Sequence, residues 1–296
     1  MRGFIQLPKQ ADIEVVIPTS VVSIHKKYFM RLFITILGVS LAVLLIGLVG
    51  CSRTIEEFDE PSYAYFPLET GKYKIYSVDS TVYDEYNCTV STSNFQIKEV
   101  TGNTVLDGEN QLAYKVERYK RQNASLPWNA IGIWIEKIAD QQVQRVEENQ
   151  RLIPLVFPVK DNQKWNGIVF IRRDTLVPIQ GGVIDMYKDW DDFRCLEIDV
   201  PYVDSTTLLS YAQTTLVLQA DKENNIERRY SMERYAKGVG LIYKEMRILD
   251  SQCRVDGAGS INCTGVGDIV QCLGKPWVDK AEKGFILQQR LIEHNY

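Results

Sequence analysis

Residues 213–236 constrain the fold more than any other stretch. QTTLVLQAD (213–221) alternates apolar and polar side chains strictly, KENN (222–225) is a polar turn, and IERRYSMERYA (226–236) alternates again on the return. Successive side chains of an extended chain point to opposite faces, so two such runs around a short polar loop form a β-hairpin. The same grammar recurs upstream. Tyr73, Ile75, Ser77 and Asp79 alternate against Lys74, Tyr76, Val78 and Ser80, and 94–100 and 111–119 continue in kind, with turns expected around Gly102-Asn103 and Asp107-Gly108.

IGIWIEKI (131–138) fits either period. Ile131, Trp134, Ile135 and Ile138 share a helical face, whereas Ile131, Ile133 and Ile135 share a strand face. Its β-branched density and the turn-like Ala139-Asp140 favour a hairpin to 142–148. Pro154 and Pro158 place LIPLVFPVKDNQKWNG (152–167) at a sheet edge or crossing. Residues 172–212 are the least regular. Lys237-Gly238-Val239-Gly240 reads as a bulge or tight bend before a strand at 241–249, and 285–295 closes the chain. The expected fold is mainly β: a large twisted antiparallel sheet, as a β-sandwich or an open or half barrel, with few short helices.

Between Leu249 and Phe285 the pattern leaves the sheet. The excursion 250–283 carries Cys253, Cys263 and Cys272 among many glycines. A loop that long needs a tie. A disulfide within 253–272 is expected, with Cys253–Cys272 preferred because these two lie nearest the feet. Cys253–Cys263 and Cys263–Cys272 stay open, and Cys88 with Cys195 is a second possible pair.

An oxidising compartment is implied by the N-terminal region. Lys26, Lys27 and Arg31 precede an apolar run, Leu32 to Gly50, that ends in Leu48-Val49-Gly50-Cys51. A charged segment, an apolar segment and small residues before a cut make a secretory signal. A cysteine after L-V-G resembles the lipobox of bacterial lipoproteins, in which Cys51 receives the lipids and becomes the mature N-terminus. The run is also long enough to cross a bilayer uncleaved, and both readings export 52–296. Residues 1–29 carry Pro8, Pro18, Asp12 and Glu14, unlike a signal, so translation from Met30 would give one of ordinary length. The expected organisation is a signal at 1–50, a lipidated tether at 51–62 and a single β domain at 63–296. Residues 51–296 hold 29 Lys/Arg against 36 Asp/Glu, a net charge of −7 with no basic stripe. Nucleic acid is therefore not an expected partner.

Several stretches together resemble a family of Bacteroidota outer-membrane lipoproteins with a tyrosine-rich antiparallel β domain. They are YFPLETGKYKIYSVDSTVY (65–83), LVFPVKDNQKWNG (155–167), ERYAKGVGLIYKE (233–245) and Lys283-Gly284-Phe285. The resemblance implies class and location and brings no activity; the cysteine-bearing excursion is not part of its pattern. It implies that Glu56, Glu57, Asp59 and Glu60 are either a surface-export signal or a plain solvated linker. It also implies O-glycan acceptors where Asp-Ser/Thr is followed by a small or aliphatic residue, which matches Ser80, Thr175 and Ser205.

Catalytic patterns are missing. The chain has two histidines, His25 in the signal and His294 near the end, which leaves little for a Ser-His-Asp or Cys-His site. The cysteine spacing lacks a CxxC pair, and Walker A, GxGxxG and GxSxG motifs are absent. Asp185, Asp189, Asp191 and Asp192 around Trp190 could hold Ca²⁺, though the spacing is not that of an EF-hand and a solvated acidic loop is the favoured reading. The expectation is a protein without cofactor, metal or catalysis, anchored in the outer membrane as an interaction or accessory subunit of an envelope assembly. The alternative is a glycan- or ligand-binding lipoprotein using exposed rings among Trp128, Trp134, Trp165, Trp190 and Trp277, whose bland reading is core packing.

Overall fold

The computed structural model describes residues 60–190, 192–255 and 265–296, with side chains from Tyr63, all within one compact unit spanning Phe58–Tyr296. The signal, Cys51, the tether up to residue 59, Asp191 and Cys263 lie outside the described residues. A 3-10 helix, Glu60–Tyr65, opens the domain. The strands are β1 Tyr73–Asp84, β2 Thr89–Leu106, β3 Leu112–Arg121, β4 Asn129–Ala139, β5 Gln142–Glu147, β6 Gln150–Val156, β7 Lys164–Trp165, β8 Leu176–Ile179, β9 Gly182–Asp185 and β10 Phe193–Val203. They continue with β11 Ser210–Glu223, β12 Glu227–Ala236, β13 Gly240–Asp250, β14 Arg254–Val255 and β15 Val266–Gly267. Two one-turn helices, α1 Ile269–Cys272 and α2 Trp277–Lys280, precede β16 Lys283–His294.

Twelve strands form one antiparallel sheet in the order β6-β5-β4-β3-β2-β1-β16-β13-β12-β11-β10-β7. It is a meander interrupted where β16 inserts between β1 and β13, and it ends with β7 paired to β10. The sheet curls into a near-closed barrel. Its edges meet where the Ile153 N–H of β6 donates to the Gly167 carbonyl at 2.8 Å and the Trp165 indole donates to the Ile153 carbonyl at 2.7 Å. This narrows the sequence expectation of a sandwich or half barrel. It also gives Pro154 its place, because β6 is the terminal strand.

Each end of the barrel has its own filling. At the end where the chain enters, the 3-10 helix drives Tyr65 and Phe66 inward; Phe66 packs beside Tyr235, and Tyr63 meets Phe157 edge-on. Gly238 N–H donates to the Ala64 carbonyl at 2.8 Å and pins that helix to the β12–β13 turn. The tips of β2–β3, β4–β5, β10–β11 and β12–β13 share this proximal end, as the antiparallel registers require. The tips of β1–β2, β3–β4, β5–β6 and β11–β12 and the excursion after Asp250 share the other, distal end. Ile168, Ile171, Ile184, Tyr187, Trp190 and Phe193 pack into the core from the long connection between β6 and β10.

Three local expectations need correction. Gly102-Asn103 is not a turn: β2 runs through it, and the register slips between Thr101 and Thr104 as a bulge. Residues 172–212 contain the β8–β9 hairpin and the whole of β10. Cys88 and Cys195 do not pair: Cys88 is exposed in the β1–β2 turn, while Cys195 is buried in β10 with its thiol 3.2 Å from Thr215 Oγ1.

Cys253 and Cys272 are at disulfide distance, with Cα atoms 5.7 Å apart, and both are fully buried. The pair clamps the base of the excursion, and Asp268 N–H donates to the Cys253 carbonyl at 2.7 Å. Closing a loop of this length contributes about 3 kcal/mol on a chain-entropy account. Cys253→Ala/Cys272→Ala is expected to lose about that much in urea unfolding, with the loss absent when both proteins are measured fully reduced.

Candidate functional site

The densest set of ionisable groups lies inside the barrel. Arg145 of β5 reaches Glu136 at 2.8 Å, Glu147 at 3.2 Å and, across the interior, Glu233 of β12 at 3.5 Å. Glu233 also meets Lys244 of β13 at 3.1 Å and accepts a short hydrogen bond from the Tyr235 hydroxyl. Arg118 of β3 pairs with Glu99 of β2 at 3.2 Å and lies flat over the Trp134 ring. Together with Lys74, these residues count four cations against four anions. Burial alone would raise Glu233, but Lys244, Arg145 and the Tyr235 hydroxyl outweigh it and hold the carboxyl low. At Glu136 burial prevails over the pull of Arg145 and Lys74, and the carboxyl is raised.

Lys74 is the odd member. It is 8% exposed, its ammonium faces the Phe66 and Tyr296 rings at 6.0 and 5.5 Å, and no carboxylate or hydrogen-bond acceptor takes it among the described residues. Burial lowers its pKa, against the pull of Glu136 and Glu99. A base depressed in the folded state costs stability below its folded pKa, and the cost fades as pH rises toward the unfolded value of about 10.4. Lys74→Met keeps the length and removes the unpaired charge. We expect it to be at least as stable as wild type at neutral pH, because the ammonium is desolvated and met by ring faces alone among the described residues. Any advantage over wild type should shrink as pH approaches the ordinary lysine value in a series of urea titrations.

A cavity of about 60 Å³ lies among Arg145, Glu147, Gln219, Glu233, Lys244 and Trp190. Apart from Lys74, every charged group named above has an ionic partner. The network acts as a polar core that fixes which strands face each other.

The outside is divided. The outer faces of β12, β13 and β16 carry a lattice of Tyr, Arg and Glu: Arg290 stacks on Tyr243, Arg234 on Tyr202, and Arg228 on Tyr230. Exposed large apolar side chains concentrate on β2–β4, the β10–β11 tip and the loops. A groove of about 250 Å³ on the outer face is floored by Val105, Leu106, Ile135 and Val146. On its rim Lys137 is held by Asp107, by Glu109 at 3.0 Å and by Gln111 at 2.8 Å. Lys137, then the Gln111 and Glu109 N–H groups, hold Asp107 down to about 2.

The sequence candidates end in separate places. Ser80 sits inside β1, paired to Ser93 and Leu287 on either side, and is a poor acceptor for any enzyme. Thr175 precedes β8 and is half-buried; Ser205 is exposed in a turn where the Asp204 carboxylate accepts from the Thr206 and Thr207 N–H groups at 2.9 and 2.8 Å. The five tryptophans form no shared platform. Trp134 is in the charged interior, Trp165 and Trp190 flank Phe193, Trp128 stacks on Arg121, and Trp277 stacks on Lys280. The stretch around Trp190 is not simply a solvated acidic loop, because Tyr187 and Trp190 are core residues and burial raises Asp185. Among the described residues no group of three or more His, Cys, Asp or Glu could hold a metal, and no helix is long and apolar enough to cross a membrane. The buried charge network was not anticipated; its only trace in the sequence is polar residues in both alternating rows of a strand, as at Arg229, Ser231 and Glu233 against Tyr230 and Arg234. No protein-family model, curated protein or solved structure matches the chain.

Proposed function

We propose that this protein is a lipid-anchored component of the bacterial outer membrane whose barrel binds another protein of the envelope and carries out no reaction. One observation supports the reading above the rest. The chain enters at the proximal end, and a broad set of exposed apolar side chains lies at the distal end. There Tyr86 and Val90 project from the β1–β2 tip, Leu126 from the β3–β4 loop, and Ile269, Val270 and Leu273 from the clamped excursion. Exposed apolar area of this extent marks protein interaction surfaces. The scattered tryptophans give a glycan no comparable platform.

Two measurements test the reading. A clickable fatty acid fed to the native host should label the wild type and leave Cys51→Ser unlabelled; equal labelling of both would remove the lipid anchor. A photo-crosslinking residue at Leu126 or Val270 in the living host should trap one discrete partner. The same residue at Tyr230, on the Tyr/Arg lattice, should not. Identical adducts from all three positions would remove the distal partner face.

A further inference from the structure

At the proximal end, the β2–β3 and β10–β11 tips each present two bare aliphatic side chains. Leu106 and Leu112 face each other in the β2–β3 register and are 64% and 69% exposed. Val203 and Leu208 flank the β10–β11 tip and are 58% and 76% exposed. In the strand order β1, β16, β13 and β12 lie between the two hairpins, so the tips stand on opposite sides of the barrel mouth with the 3-10 helix between them. The other two tips at this end, Asp140-Gln141 and Lys237-Gly238, are polar or glycine.

Leu208 carries a second signal. Its φ is 59°, in the left-handed region that Gly and Asn favour, and its N–H donates to the Asp204 carbonyl at 2.9 Å. An aliphatic residue there costs of order 1 kcal/mol or more in backbone strain. Within this chain the side chain gains almost no burial in return. Asparagine or glycine would make the same turn without that cost, so a leucine is explained by something outside the chain that takes up the side chain.

We infer that these two tips are feet that rest in a lipid surface, with Leu106 and Leu112 on one side and Val203 and Leu208 on the other. The inference rests on the lipid anchor at Cys51. Residues 52–59 reach at most about 29 Å fully extended at about 3.6 Å each. The long strands exceed that: the 12 residues of β1 or β16 span about 41 Å at about 3.4 Å per residue. A short tether leading into the proximal end keeps the feet within reach of the bilayer and holds the distal apolar face away from it. The carboxylates beside the first foot suit this position, since Asp107 and Glu109 are neutralised by Lys137 and, for Glu109, Arg151 at 2.7 Å. Beside the second foot, Asp204 is buried and turned toward its own backbone.

The experiment uses the full lipidated protein in a Cys88→Ser/Cys263→Ser background, in vesicles of phosphatidylethanolamine and phosphatidylglycerol with brominated acyl chains. An environment-sensitive dye is attached through Leu106→Cys, Leu208→Cys or, at the distal end, Tyr86→Cys. Emission should be lost to the bromines at both feet and kept at the distal site. In a second arm, Leu106→Asp/Leu112→Asp should restore emission from a dye at position 208 by lifting the barrel, while the protein still sediments with vesicles. Anchored protein whose feet are quenched no more than the distal dye overturns the inference and leaves the anchor standing. Protein that fails to sediment with vesicles at all overturns the anchor and the feet together. A circular dichroism spectrum unchanged from wild type excludes misfolding of the aspartate variant, and Leu208→Asn, which relaxes the backbone, should be at least as stable as wild type yet lose the contact.

Discussion

Arg145→Met is expected to destabilise the domain by about 3–5 kcal/mol, the usual cost of breaking a buried ion pair from one side. Arg145 is the one group that touches Glu136, Glu147 and Glu233 together, at 2.8, 3.2 and 3.5 Å. Methionine fills similar volume, so the loss is chiefly that of stranded charge. Glu233 retains Lys244 and the Tyr235 hydroxyl, whereas Glu136 has no other ion-pair partner among the described residues. Glu136 is already raised by burial, and without Arg145 it rises further. An acid raised in the folded state binds its proton there before the unfolded chain does, so its cost falls as pH falls through its folded pKa. The deficit of Arg145→Met should therefore narrow on mild acidification, before Glu233, which is held low, begins to protonate. Arg145→Met/Glu136→Leu should recover much of the loss at neutral pH. Urea unfolding of the four proteins in a double-mutant cycle decides this. A strictly additive cycle would mean that the two charges do not need each other.

Gly284→Ala should be worse tolerated. Gly284 sits in β16, a central strand, with φ of 113°. It is paired to Tyr83 of β1 on one side and Leu249 of β13 on the other. A Cβ there would meet the backbone at Ile248 and Leu249, which cannot rotate away as a side chain can. Overpacking and a forbidden φ together cost at least about 3 kcal/mol, and a shift of β16 to relieve them would spread to both neighbours. Against a total stability of about 5–15 kcal/mol, little folded protein should accumulate at growth temperature. Gly238→Ala is the control: its φ of 75° is also positive, but nothing lies within 4 Å of the added carbon. Comparable yields of soluble, folded Gly284→Ala and wild type would refute the close approach.

The strands could be read from the sequence because each is set by alternation, a local property. The 213–236 hairpin, the strand over 131–138 and the departure of the chain after Leu249 are all where the pattern put them. Pro154 forecast an edge because a missing N–H is tolerated only there. The Cys253–Cys272 pairing was favoured because its two cysteines flank the feet of one loop. The Gly102-Asn103 error has a local cause too. Glycine and asparagine suit a bulge as well as they suit a turn, and only the partner strand distinguishes them.

What escaped the sequence is what depends on closure. Alternation says that side chains point to two faces; it does not say which face becomes the inside. Here both rows of β12 are polar, so composition could not rank them. Curling the sheet brought Arg145 and Glu233 together from strands distant in order, and so decided that a charged row would be buried. Separate hairpins likewise gained meaning only from their common end. Leu106, Leu112, Val203 and Leu208 are scattered over 103 positions in the chain and meet at one mouth of the barrel because antiparallel registers send alternate turns to the same end. The sequence by itself determined the strands and the disulfide tie, since each is fixed by neighbours along the chain. Only the tertiary structure decided which charges are buried and which end carries which apolar residues, because those follow from contacts between segments whose spacing the sequence does not encode.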